Sequence, residues 1–273
     1  MPTPTKLSDL LYKLARLMSQ DTIKGVPDSN LATTTFGEDQ LSPYPDDYFI
    51  DYHGRTYEGT HRGSNFVVTD FATTAGVVTV KVAQTVAYDK SDKFFMLPDY
   101  PVQDLIDAIN LAISMVETEA LESAVDDNLK VISGVFEYNV PKGFHSIEYI
   151  IQEASTADQY RFESGIRNNR YWDIHNGPEP KIWFDPDLVS LTAGRNLRII
   201  GQKAASQLNE EDDDDTTLVP TAYLLYQAKA NLHFARVEEL SDEHNRKMVL
   251  AQARADMERV HVQIASRGRT VNE

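Results

Sequence analysis

Residues with the chemistry to do something are few in this sequence and widely spaced. Asp173 and His175 stand two apart in a short aromatic stretch, so a strand would put both on one side, as two ligands of a metal site or as a plain polar pair facing solvent. Asp185-Pro186-Asp187 offers two more carboxylates, either to a hard cation or simply to an Asp-Pro turn. The four together would be the machinery of a metal-dependent hydrolase. Trp172 and Trp183, with Tyr171 and Phe184 beside them, are a sugar-stacking platform if exposed and core if buried.

Glu210, Glu211, Asp212, Asp213, Asp214 and Asp215 are six like charges in a row, which repel one another and predict an extended, solvated loop. The run lacks the glycine and the spaced ligands of a calcium loop. Its functional alternative is an electrostatic fence facing an anion. Arg267 and Arg269 stand at the opposite extreme of charge. The last 28 residues hold six Lys/Arg against three Asp/Glu, a balance of +3, which leaves −19 on residues 1–245. A cationic end on an anionic body is either a docking arm or merely a chain end.

Signatures of catalysis are missing. No glycine-rich loop runs into Lys-Ser/Thr, no nucleophile elbow or His-Glu-x-x-His is present, and no two of the seven histidines sit at i, i+4. With no cysteine in the chain, disulfides, thiolate metal sites and cysteine nucleophiles are excluded. The expectation is therefore a non-enzyme without a cofactor. The 273 residues carry 42 Asp/Glu against 26 Lys/Arg, a net charge of −16. That balance excludes a sequence-specific nucleic-acid binder and a surface built for anionic lipid. No stretch approaches the ~20 apolar residues of a membrane span. Lys13 and Arg16 interrupt the apolar run at 7–18, so a signal peptide is not expected either.

The elements that would hold these residues alternate between helix and strand. Leu7, Leu10, Leu11, Leu14, Leu17 and Met18 recur at helical spacing after Thr5, a candidate cap. Residues 21–47 show no sustained period and predict a loop, in part extended. Short β-branched runs at 65–70, 77–82 and 94–97, punctuated by Gly63 and Gly76, predict a small β unit over 48–98. Asp99 and Pro101 open a helix whose apolar stripe is Val102, Leu105, Ile106, Ile109, Ala112, Ile113 and Val116. Six runs over 131–200 separated by turn residues suggest an antiparallel sandwich. A nearly all-apolar helix follows Pro220, and Ser241 caps a last helix with the stripe Val249, Ala253, Met257, Val260 and Ile264.

The succession of segments resembles tailed-bacteriophage head-to-tail connector (adaptor or neck) proteins. Leading helix, β insertion Gly59-Thr60-His61-Arg62-Gly63-Ser64, helix Asp104-Leu105-Ile106-Asp107-Ala108-Ile109-Asn110-Leu111-Ala112, Leu197-Arg198-Ile199-Ile200-Gly201, the acidic segment ending Asp215-Thr216-Thr217, and Val219-Pro220 leading into an Ala/Leu/Tyr helix follow in that family's order. The resemblance implies an α+β fold: a helical adaptor core at 1–20, 99–130 and 202–265 with two inserted antiparallel β regions, a small unit at 48–98 and a sandwich-like one at 131–201. Residues 266–273 would be a C-terminal arm. It further implies a homo-oligomeric ring, usually of twelve copies, between the portal and a tail or second neck protein. Such a protein belongs to the virion and is assembled in the host cytoplasm, with no membrane partner. Arg267 and Arg269 would grip the portal. The acidic run 210–215 would face the channel, so that duplex DNA passes through without binding. The alternative from the aromatic residues is a carbohydrate- or receptor-binding β module of a phage tail.

Overall fold

A computed structural model describes residues 4–30, 32–116, 119–154, 164–166, 171–236 and 242–267. The chain divides into two compact units, one of residues 1–116 with 206–273, the other of residues 117–205.

In the first unit a two-residue strand β1 (Thr5–Lys6) leads straight into helix α1 (Leu7–Met18). Leu7, Leu10, Leu11, Leu14 and Ala15 are buried, as a leucine stripe at i, i+3, i+4, i+7 requires. Thr5 is not its cap. Its hydroxyl is 2.8 Å from the Thr221 hydroxyl, and Lys6 occupies the cap position without a capping side chain.

Residues 21–47, expected to be loop, contain β2 (Ile23–Gly25), β3 (Ser29–Asn30) and β4 (Thr35–Gly37). Strands of two or three residues are too short to show a period of two, which is why they escape a pattern search. β5 (His53–Glu58), β6 (Asn65–Ala72), β7 (Val77–Val80) and β8 (Lys93–Leu97) complete an antiparallel sheet of order β2-β8-β5-β6-β7-β4-β3. Its core is aromatic: Phe36, Phe49, Phe66, Phe71, Tyr88 and Phe94 pack together with Val68, Val78 and Met96. Gly54 in β5 permits this, because a Cβ there would lie 2.2 Å from the Phe66 ring. Helix α2 (Val102–Ser114) follows, and its whole expected stripe from Val102 to Val116 is buried.

The second unit holds two antiparallel sheets. One has β9 (Leu121–Lys130), β11 (Phe144–Gln152), β12 (Ser164–Ile166) and β15 (Asn196–Ala204) in the order β12-β11-β15-β9. The other has β10 (Glu137–Asn139), β13 (Trp172–His175) and β14 (Lys181–Phe184) in the order β10-β14-β13. Tyr138, Trp172, Ile182 and Phe184 from one sheet and Ile150, Leu197 and Ile199 from the other share a core. Asp127 and Arg198 tie β9 to β15 through a two-bonded pair at 2.7 and 2.6 Å.

Back in the first unit, β16 (Thr216–Thr217) pairs with β1, and α3 (Thr221–Ala235) and α4 (Asp242–Arg267) follow. Ser241, the expected cap of α4, lies outside the described residues.

The expected fold class, a helical core with two β insertions, does not hold. Among the described residues, sixteen strands in antiparallel sheets accompany four α-helices, and the structure is mostly β. The seven-stranded sheet carries a core of its own and is not an appendage of the helices. The sequence Leu-Glu-Ser-Ala-Val-Asp-Asp-Asn-Leu-Lys, expected within the helical core at 99–130, is the long strand β9. Pairing with β15 over eight positions outweighs its weak local preference.

Candidate functional site

The acidic run is folded, not extended. Its backbone anchors the start of α1: the Leu7 N–H donates to the Asp215 carbonyl at 2.9 Å and the Ser8 N–H to the Asp213 carbonyl at 3.2 Å. Those carbonyls take the place of the missing side-chain cap. Asp213 is fully buried, and its Oδ1 accepts from Nε of the equally buried Arg55 at 2.8 Å. Arg55 completes its fork on the Asn65 side chain at 2.8 Å and on the Glu210 carbonyl. Arg62 bonds Asp212 at 3.0 Å and also Asp214, which Lys6 meets at 2.7 Å. The Lys6 bond holds the Asp214 carboxyl below the usual carboxylate range and raises the Lys6 ammonium above its own. Asp212 and Asp215 also accept backbone N–H groups within the loop. Glu210 and Glu211 remain exposed, Glu210 accepting from the Gln103 amide at 2.8 Å.

A prediction from like-charge repulsion alone thus misses three cations, Lys6, Arg55 and Arg62, that fold the run. Their distance in sequence hides them: Arg55 lies 158 residues from Asp213. The one signal was an arginine inside an otherwise buried strand segment, Gly54-Arg55-Thr56, which needs an anionic partner.

The other end of α1 is basic. Lys229 of α3 donates to the Leu17 carbonyl at 2.9 Å, satisfying an orphan of the helix C-terminus. Lys229, Lys247 and Arg254 line a small cavity of about 150 Å³ with Leu17, Tyr226 and Leu250, and no carboxylate is in its lining. Burial, then Lys247 and Arg254, push the Lys229 ammonium down.

The helices also present an uncovered apolar face. α4 packs on α3 through Ala251 and Ala255, both buried. The Val249, Ala253, Met257 stripe points outward: Val249 is 59 % and Met257 64 % exposed. Phe234 at the end of α3 is 69 % exposed. Phe234, Val249 and Ala253 line an open groove of about 410 Å³ with Met115, Ala230 and Met248, and the polar Gln227, Asn231, Gln252 and Asp256 share its walls. Such apolar concentrations on a soluble surface mark contact sites.

The remaining sequence candidates are dispersed. Trp172 is buried in the second unit's core, and Phe184 beside it is fully buried. Tyr171 is exposed, and Trp183, half-buried, stacks on His175 at 5.7 Å between ring centroids and 13° between planes. Asp173 and Asp187 are exposed, and the Asp187 N–H donates to the Asp185 carboxylate within the turn. Among the described residues no three His, Asp or Glu side chains are grouped to hold a metal. Arg267 ends α4, and Arg269 lies outside the described residues. No described helix is long and apolar enough to cross a membrane.

Residues 72–272 match the family model described as SU10 adaptor protein. A search of curated proteins returns no match.

Proposed function

The chain belongs to the SU10 adaptor protein family, a family of phage structural adaptors, and we propose that its copies close into a ring between the portal and a tail or second neck protein. The single observation that supports a ring is the apolar face of α2, α3 and α4, with Phe234, Val249 and Met257 uncovered in the lone chain. Ala253, Met257, Val260 and Ile264 follow at spacings of four, three and four, the seam that packs one helix on another. A second copy is its natural cover, because twelve identical subunits around an axis must each bury one patch against a different patch of the neighbour. The role is structural, without catalysis or cofactor. Arg267 and Arg269 would grip the portal, and assembly would take place in the host cytoplasm. A surplus of 16 negative charges per copy keeps the lumen from holding duplex DNA.

Native mass measurement of the purified chain, alone and with its portal, tests this reading. The expected result is a ring that the substitutions Phe234→Glu and Val249→Glu abolish with no change in melting temperature, since both side chains already face solvent. A chain that stays monomeric and ignores the portal overturns it.

One observation supports a second reading. Trp183 and His175 lie stacked on a sheet surface with Glu137 and Lys181 near, a surface suited to a carbohydrate or receptor. Loss of glycan binding in Trp183→Ala, with the fold intact, would favour it.

A further inference from the structure

Helix α1 buries a leucine stripe, and its other side carries Lys13 and Arg16, both exposed and three residues apart. Three residues along a helix advance about 4.5 Å and come back close to the same face, so the two cations stand side by side. Neither forms an ion pair among the described residues. α2 shows a stripe of the opposite sign: Asp104, Asp107 and Leu111, at i, i+3 and i+7, are exposed. They stand along a groove of about 530 Å³ between α2 and α3 whose apolar lining includes Ala108, Leu232 and Ala235. Asp107 accepts the Gln103 amide at 3.1 Å, and neither carboxylate forms an ion pair among the described residues. Arg236 shares the groove, but its guanidinium lies 3.9 Å from the Tyr100 ring centroid and donates to the Asp99 carbonyl. Burial lowers the His53 imidazole, so at neutral pH that neighbour leaves the Asp104 charge standing.

We propose that the Lys13–Arg16 face of α1 in one copy docks along the α2–α3 groove of a second copy, against Asp104, Asp107 and Leu111. The inference rests on the ring reading above and names the part of the neighbour that covers this side of the helical face. Asn231 lines both this groove and the one beside Phe234 and Val249, so the docked helix continues the apolar contact already assigned to a second copy. Charge decides the occupant. Two carboxylates less than one helical turn apart match two cations at the same spacing, whereas most of a surface with a net charge of −16 is repelled. Ion pairs at an exposed rim add little affinity, so binding strength comes from the apolar contact around Leu111 and Met115, and the charges set which face is chosen. The contact joins two different faces of the subunit, as a ring requires. A two-fold pair can use it twice, so the ring reading, and not the charge pattern, selects the ring.

A carbodiimide joins a lysine to a carboxylate only where the two touch, so the unaltered chain can report the contact. Assemblies made from equal parts of unlabelled and heavy-nitrogen-labelled protein should yield peptides linking Lys13 to Asp104 or Asp107 across chains of different label. In a second measurement, Asp104→Lys with Asp107→Lys should weaken association about tenfold or more, and so should Lys13→Glu with Arg16→Glu. The quadruple variant carries both changes, which restores every contact with its signs exchanged. It should associate within about threefold of the native chain. All four side chains are exposed, and the melting temperature checks that each variant stays folded.

A quadruple variant as weak as either double variant, or cross-links confined to chains of like label, would overturn the docking. Rings seen by native mass that neither charge reversal weakens would overturn it and leave the ring reading standing. Two-fold dimers that the reversals weaken and the quadruple variant restores would support the docking and remove the ring. No oligomer under any condition, with or without the portal, would remove both. If Asp104 and Asp107 cross-link to the portal and not to a second copy, the groove belongs to the portal and the proposal is wrong.

Discussion

Replacing Arg55 by methionine should be among the most damaging single changes this chain can suffer. Arg55 and Asp213 are each 1 % exposed at the side chain and 2.8 Å apart, so both were taken out of water on folding. In Arg55→Met the Asp213 carboxylate stays buried with Oδ1 deprived of its donor, and its Oδ2 already has no hydrogen-bond partner. The Asn65 side chain and the Glu210 carbonyl lose donors as well. Breaking a buried pair from one side costs about 3–5 kcal/mol. For a unit of this size about 1 kcal/mol corresponds to roughly 2–4 °C, so melting should fall by about 6–20 °C. Urea titration followed by tryptophan fluorescence would miss it, since Trp172 and Trp183 are both in the other unit; far-UV circular dichroism or tyrosine emission reads the first unit. The double variant Arg55→Met/Asp213→Leu removes both charges and should recover at least half of the loss. If Arg55→Met costs under about 1 kcal/mol, the pair behaves as an exposed one and the clasp does not hold the loop.

Asp92 is fully buried and accepts from the His61 N–H at 3.0 Å, the His61 ring at 2.8 Å and the Asp89 N–H at 2.9 Å. Asp92→Ala should therefore cost about 3 kcal/mol or more in denaturant titration, about 1–3 for each stranded donor. Asp214, whose carboxyl Lys6 holds below its ordinary value, contributes stability that is present above about pH 3.8 and lost as pH falls through the lowered value. Asp214→Asn should accordingly flatten the acid limb of a stability–pH curve and leave its slope above pH 5 unchanged. Truncation after Ser266 removes Arg267 and Arg269 and should weaken portal binding in a pull-down without moving the melting temperature.

What the sequence disclosed depended on how far a signal reached along the chain. Helical periods repeat over several turns within one segment, and the stripes of α1 and α2 are buried largely as their spacing implies. The β unit around residues 65–97 was legible because its strands are β-branched and bounded by glycine. By contrast β2, β3 and β4 have two or three residues each, and they exist only through pairing with β8 and β7 and with one another. For α4 the periodicity marks an apolar stripe, and the structure leaves its Val249, Ala253 and Met257 exposed. Two alanines, Ala251 and Ala255, suffice to pack it on α3, and the larger side chains are left outside. A hydrophobic pattern reports what must be covered, and the covering surface need not belong to the same chain.

The acidic loop carries the same lesson for charge. A formal sum treats all six carboxylates alike, yet Asp213 is buried against Arg55 and Asp212 and Asp214 are held by Arg62 and Lys6. Asp215 is half-buried and meets only backbone N–H groups, while Glu210 and Glu211 are exposed without an ion-pair partner among the described residues, and screening limits their reach to about 8–10 Å. Two carboxylates per subunit are a poor wall against DNA. The repulsion that a DNA channel needs must then come from the rest of the body's negative surplus. Neutralising this corner, as in Glu210→Gln with Glu211→Gln, should leave genome passage through assembled rings unimpeded. Slowed ejection from particles with intact rings would return the loop to the lumen.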